Sequence, residues 1–130
     1  MRVTVSGDGG LYDLEQVLAD SARTAPAEVR KVVARGALNI KTDAKRRVGQ
    51  LAHAPAYPSS ITYDTRLTPG GAVAEIGPDK AKRQGALGNL LEFGSVNNPP
   101  HPHMAPAGDA ERPRFERALE DLAARGLDRL

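Results

Sequence analysis

His101 and His103 flank a single proline, and on an extended chain residues two apart point to the same side, a geometry that could hold a metal ion. His53 would be a distant third ligand. No carboxylate lies close in sequence and prolines crowd the pair, so two ordinary loop histidines are the commoner outcome of such a pattern. Nucleophilic chemistry has less to build on. Ser59, Ser60 and Ser95 sit in no G-x-S-x-G turn, and the chain contains no cysteine, which also removes disulfides and thiolate zinc sites. The glycine-rich run from Gly7 to Gly10 lacks the Lys-Ser/Thr pair of a phosphate loop. Glu92 is the one acid set among apolar and conformationally restricted neighbours, and its expected role is to accept bonds from backbone amides or to pair with a cation. These residues predict no enzyme, no metal and no cofactor.

Charge is more informative in its distribution than in its total of +2 over 130 residues. Arg30, Lys31, Arg35, Lys41, Lys45, Arg46 and Arg47 crowd one segment, opposed there only by Glu28 and Asp43. Three readings fit this basic face: a solvated helix surface, an acidic protein partner, or sequence-blind contact with DNA phosphates. No aromatics are interleaved with it, which argues against single-strand binding by base stacking.

The elements that must carry these residues follow from apolar spacing. Arg2 to Val5 alternates as a short strand. Asp8 is placed to cap a helix over Leu11–Arg23, where Leu11, Leu14, Val17 and Leu18 recur at helical spacing. A long helix over about 26–51 opens at Pro26 and buries Val29, Val33, Ile40, Ala44, Val48 and Leu51, with Gly36 marking a kink or a close helix crossing. Ile61 to Leu67 and Ala72 to Gly77 alternate around Thr68-Pro69-Gly70-Gly71, a hairpin with a type II turn signal. It needs a further strand or a helix to lie on, and Arg2–Val5 is one candidate strand. Residues 78–85 read as a charged loop that could move. A short helix then ends at Phe93, with Gly94 as its stop. Proline at 99, 100, 102 and 106 predicts a rigid strap anchored by Phe93 and Met104, leading to a C-terminal helix over about 112–125. The fold class is α+β in one domain, a small antiparallel sheet packed with helices. No run of ~18 apolar residues or basic-then-apolar leader is present, which predicts a soluble, unexported protein with no membrane partner. The core is poor in aromatics, a hint that the chain buries surface against neighbours.

One stretch also carries a resemblance. A helix ending in Glu92-Phe93-Gly94, a polar loop, a proline-dense run through His103-Met104-Ala105-Pro106-Ala107 and a closing helix resembles the small neck and tail-completion proteins of long-tailed bacteriophages, the head–tail joining family. The match covers Leu91 to Ala107 most firmly. It departs from the family's usual pattern at Ser95, where threonine is common, and at His103-Met104, where Pro-Phe is common. The resemblance implies a structural virion protein at the neck or head-proximal tail end, assembled in host cytoplasm, that completes the tail and joins it to the head. It implies tail terminator, stopper and adaptor proteins as partners, a homo-oligomeric ring of six copies or a subunit that is monomeric until it orders on the virion, and it leaves room for non-specific contact with packaged DNA. A tail terminator or head-side stopper is the alternative within that reading, and a small sequence-independent DNA-binding protein using the 30–47 face is the alternative outside it. By the same resemblance Glu92, Phe93, Gly94, His103, Met104 and Pro106 are interface candidates. A ring needs two different patches, here the strap and the hairpin tip with the 78–85 loop.

Overall fold

The computed structural model describes residues 1–6, 26–69 and 71–128. The expected helix over Leu11–Arg23, its Asp8 cap, the Gly7–Gly10 run and Gly70 of the hairpin turn lie outside them. The elements run β1 (Arg2–Ser6), α1 (Pro26–Val48), the single-turn α2 (Tyr57–Ser60), β2 (Ile61–Thr68), β3 (Gly71–Pro78), a 3₁₀ turn (Gly85–Leu87), α3 (Gly88–Phe93) and α4 (Met104–Asp128). The class is α+β, as the spacing predicts.

β2 and β3 form the hairpin, with Tyr63 opposite Ile76 and Thr65 opposite Ala74. β1 completes the sheet on the far side of β3, antiparallel, with Val3 opposite Ala74, so the strand order is β1-β3-β2. The hairpin thus gains the extra strand that a two-stranded ribbon needs in water.

α1 is the central element. Val29, Val33, Ala37, Ile40, Ala44 and Val48 are buried, at the i, i+4, i+7 spacing of a single helix face. This face meets Ile61, Ala72, Ala74 and Ile76 of the hairpin and Leu122 of α4 in one continuous core. α1 runs unbroken through Gly36. A Cβ at Gly36 would come within 3.0 Å of the Phe115 ring of α4, so the glycine permits a close helix crossing. Asn39 Nδ2 donates across the same crossing to Glu111 Oε1 at 2.9 Å. Glu111 is buried, and its other oxygen faces the Arg114 guanidinium at 2.8 Å. α1 stops at Val48 rather than near Leu51 because Gly49 takes φ +60° and returns its N–H to the Lys45 carbonyl.

The largest departure from expectation is α4, which begins at Met104 and not near Arg112. Pro106 lies in its first turn, where no helical N–H is required of it. Pro113 lies inside the helix on an exposed position, where the carbonyl it deprives of a partner can turn to water. The strap is accordingly shorter than predicted and ends at His103.

Candidate functional site

The strap closes a junction between α3 and α4. Gly94 follows α3 with φ 76° and ψ −176°, a conformation essentially confined to glycine. Its N–H bonds the Leu90 carbonyl at 2.8 Å, Ser95 and Asn98 exchange backbone bonds, and the His101 N–H returns to the Leu91 carbonyl at 2.6 Å. This reversal lays the start of α4 over the Glu92 carboxylate.

A helix leaves its first four N–H groups without internal partners. In α4 these four positions are His103, Met104, Ala105 and Pro106, and the first three carry an N–H. Glu92 Oε1 accepts from the His103 N–H at 3.1 Å and the Met104 N–H at 2.9 Å, and Oε2 accepts from the Ala105 N–H at 3.3 Å. Pro106 has no N–H to satisfy, and the Ala107 N–H starts the regular ladder by bonding the His103 carbonyl at 3.2 Å. One carboxylate therefore caps the whole helix start, from twelve residues upstream of its first helical residue. Burial alone would raise the Glu92 pKa, but the amides of Met104, His103 and Ala105, with the His103 ring, overcome it and hold the carboxyl below its ordinary value. The positive end of the helix favours the same charge.

His103 locks the junction to the body of the protein. Its ring is fully buried. Nε2 lies 2.6 Å from the Tyr57 hydroxyl, and the two rings meet edge to face with centroids 5.4 Å apart. Nδ1 lies 2.9 Å from the His101 carbonyl and 3.2 Å from Glu92 Oε1. Burial, reinforced by the Glu92 charge, pushes the Tyr57 hydroxyl up to about 12. Tyr57 thus keeps its proton, and the two ring nitrogens of His103 are engaged by the Tyr57 hydroxyl on one side and the His101 carbonyl on the other.

This is not a metal pair. The His101 side chain is exposed while that of His103 is buried with both nitrogens engaged, so the two rings do not converge. Among the described residues no group of three or more His, Cys, Asp or Glu could hold a metal ion. Ser60 spends its buried hydroxyl on the Tyr57 carbonyl at 2.6 Å.

The interface candidates separate into two sets. Glu92, Gly94 and His103 build the junction, Met104 packs partly buried against the core, and Pro106 fills the first turn. Phe93 does the opposite. It is 76% exposed and anchors nothing, which corrects its expected role; Leu90 at 49% and Val96 at 102% are exposed in the same stretch of sequence. By sequence Leu90 reads only as part of the short helix's apolar run and Val96 carries no signal; apolar residues bracketing a helix stop are the pattern that marks them.

The basic residues also divide. Arg30, Lys31 and Arg35 are exposed on the first half of α1. Near its end, Asp43 takes up both arginines, Arg46 Nη2 at 2.5 Å and Arg47 Nε at 2.9 Å. Burial would raise the Asp43 pKa, and these two guanidiniums bring it below its ordinary value instead. Lys41 has its ammonium 5.6 Å from the centre of the Tyr63 ring. The pKa of Lys45 is lowered by burial first and then by the charges of Lys41 and Lys82. Lys82 comes from the 79–85 segment, which is not a loose loop: the Asp79 N–H bonds the Ser60 carbonyl at 2.8 Å, and Asp79 in turn accepts from the Ala81 and Lys82 amides.

Comparison with known protein families, curated proteins and solved structures returns no significant match.

Proposed function

We propose that the chain is a structural virion protein of a tailed bacteriophage, acting at the neck or the head-proximal end of the tail to complete the tail and join it to the head. One observation carries this reading. The Glu92-Phe93-Gly94 motif works as a single device in which Glu92 and Gly94 fix the backbone and Phe93 is turned outward at 76% exposure. Large apolar side chains fixed on a well-defined backbone suit a contact with another protein, because little side-chain or loop entropy is lost on docking. The partners on this reading are neighbouring copies in a ring and the terminator, stopper or adaptor proteins of the neck. A ring of six requires Phe93, Leu90 and Val96 to meet a different patch on the next subunit, and the exposed Leu67 towards the hairpin tip is the corresponding apolar position there.

Electron microscopy of particles assembled with the gene disrupted tests the role. Filled heads beside separate, finished tails are expected. Tails of uncontrolled length would reassign the chain to tail termination, and leaking heads to the head-side stopper. Normal joined virions would overturn the reading.

A further inference from the structure

A sheet edge presents a row of unpaired N–H and C=O groups, which is a template for a further strand. In the order β1-β3-β2 the outer edge of β2 has no strand against it among the described residues. β2 is eight residues long, Ile61-Thr62-Tyr63-Asp64-Thr65-Arg66-Leu67-Thr68, with no proline, glycine or lysine to blunt the edge. Alternation sets Ile61, Tyr63, Thr65 and Leu67 on the face toward the core, and Asp64 and Arg66 on the other, exposed. Asp64 stands opposite Glu75 of β3, a like charge, and has no ion pair among the described residues, whereas Arg66 lies 3.7 Å from Glu75.

We infer that β2 pairs antiparallel with the β2 of a second copy of this chain, across a twofold axis at Thr65. The strand is complementary to itself in that register alone. Asp64 of each copy meets Arg66 of the other, Tyr63 meets Leu67, Thr62 meets Thr68, and Thr65 meets its own counterpart. Moving the axis by one residue sets Asp64 against Asp64 or Arg66 against Arg66, and moving it further leaves both charges unpaired. Each copy thereby supplies Asp64 of the other with the cation that its own hairpin lacks. Leu67, 47% exposed in the single chain, is covered by the same pairing. β1 at the opposite edge has five residues, Arg2 to Ser6, and no acid, so it offers no such match. The interface is isologous and closes at two copies. It does not depend on the virion role proposed above. Because it occupies Leu67, it excludes the ring contact assigned to that residue, so a paired chain must open before it enters a ring.

Sedimentation analysis of the purified full chain over a range of concentrations tests the pairing, with twice the chain mass expected at the upper end. Asp64→Arg alone and Arg66→Asp alone turn both attractive charge pairs into repulsive ones, and each should raise the dimer dissociation constant about tenfold or more. The double variant, which exchanges the two charges, should recover most of the loss. Both side chains are exposed, so the changes leave folding intact. Thr65→Cys reads the register. Directly opposite Cα atoms of an antiparallel pair lie about 4.5–5.5 Å apart, within disulfide reach, and the chain has no cysteine of its own. Diamide should cross-link the Thr65→Cys chain to a covalent dimer and leave Thr62→Cys, whose counterpart lies at the other end of the paired strands, largely single. A monomer at every concentration would overturn the inference. So would an assembly indifferent to the single reversals, the result expected if Phe93 carries the contact instead, or reversals that the double variant fails to rescue.

Discussion

Glu92 and Lys45 are both partly withdrawn from water, and their surroundings treat them in opposite ways. Around Glu92 every neighbour favours the charge: three amides, the positive end of α4 and the His103 ring. Around Lys45 the neighbours oppose it, since Lys41 and Lys82 add their own positive charge to the effect of burial. A site whose demands are met internally is explained by folding. A site whose demands are left open costs the folded chain free energy. The same contrast separates two consecutive residues, because Glu92 closes the junction while Phe93 turns from it into water.

If the junction is self-sufficient, substitutions within it should cost stability in proportion to what they leave unmet. The largest effect is expected at Gly94. An added Cβ would stand 2.7 Å from the Pro100 nitrogen and 2.9 Å from the Asn98 carbonyl oxygen, at a φ that L-residues rarely adopt. Gly94→Ala should destabilise the protein by about 3 kcal/mol or more, read as a lower urea midpoint at unchanged slope. Glu92→Ala comes next, at about 2–3 kcal/mol, because it strands amide donors at the start of α4.

The charge on Glu92 also sets a pH dependence. Its pKa is depressed in the folded state, so its stabilisation is complete above the ordinary carboxyl value of 4.5 and is lost as pH falls through the lower native value. The stability gap between the natural chain and Glu92→Gln should therefore close across that window and stay level above it. A gap that widened on acidification would refute the capping account. Tyr57→Phe is a smaller probe. It removes one hydroxyl and leaves His103 Nε2 buried without a partner, at about 1–2 kcal/mol in thermal unfolding. Phe93→Ser should move stability by no more than about 0.5 kcal/mol, since an exposed side chain has little folded-state environment to lose.

How far each region could be read from sequence follows the same division. The hairpin and α1 rest on local periodicity, and their spacing predicts them closely. The start of α4 could not be read locally. Prolines at 106 and 113 suggest a late helix start, yet one occupies a first-turn position and the other an exposed one, and the cap is contributed by Glu92 across a chain reversal. That Glu92 would bond backbone amides was legible; which amides was not. Phe93 was misassigned as an anchor because residue type reports apolar character and not direction. Tyr57 and Lys82 act through neighbours distant in sequence, His103 for one and Lys45 for the other, and no local pattern marks them.

The central claim is that Phe93, held outward by the junction, meets a partner protein. Electron microscopy of particles assembled with the Phe93→Ser chain, after its folding stability is verified as unchanged, tests this most directly. The account predicts filled heads and finished tails that remain separate. Joined virions in normal yield would contradict it, and would leave Phe93 without the role assigned to it.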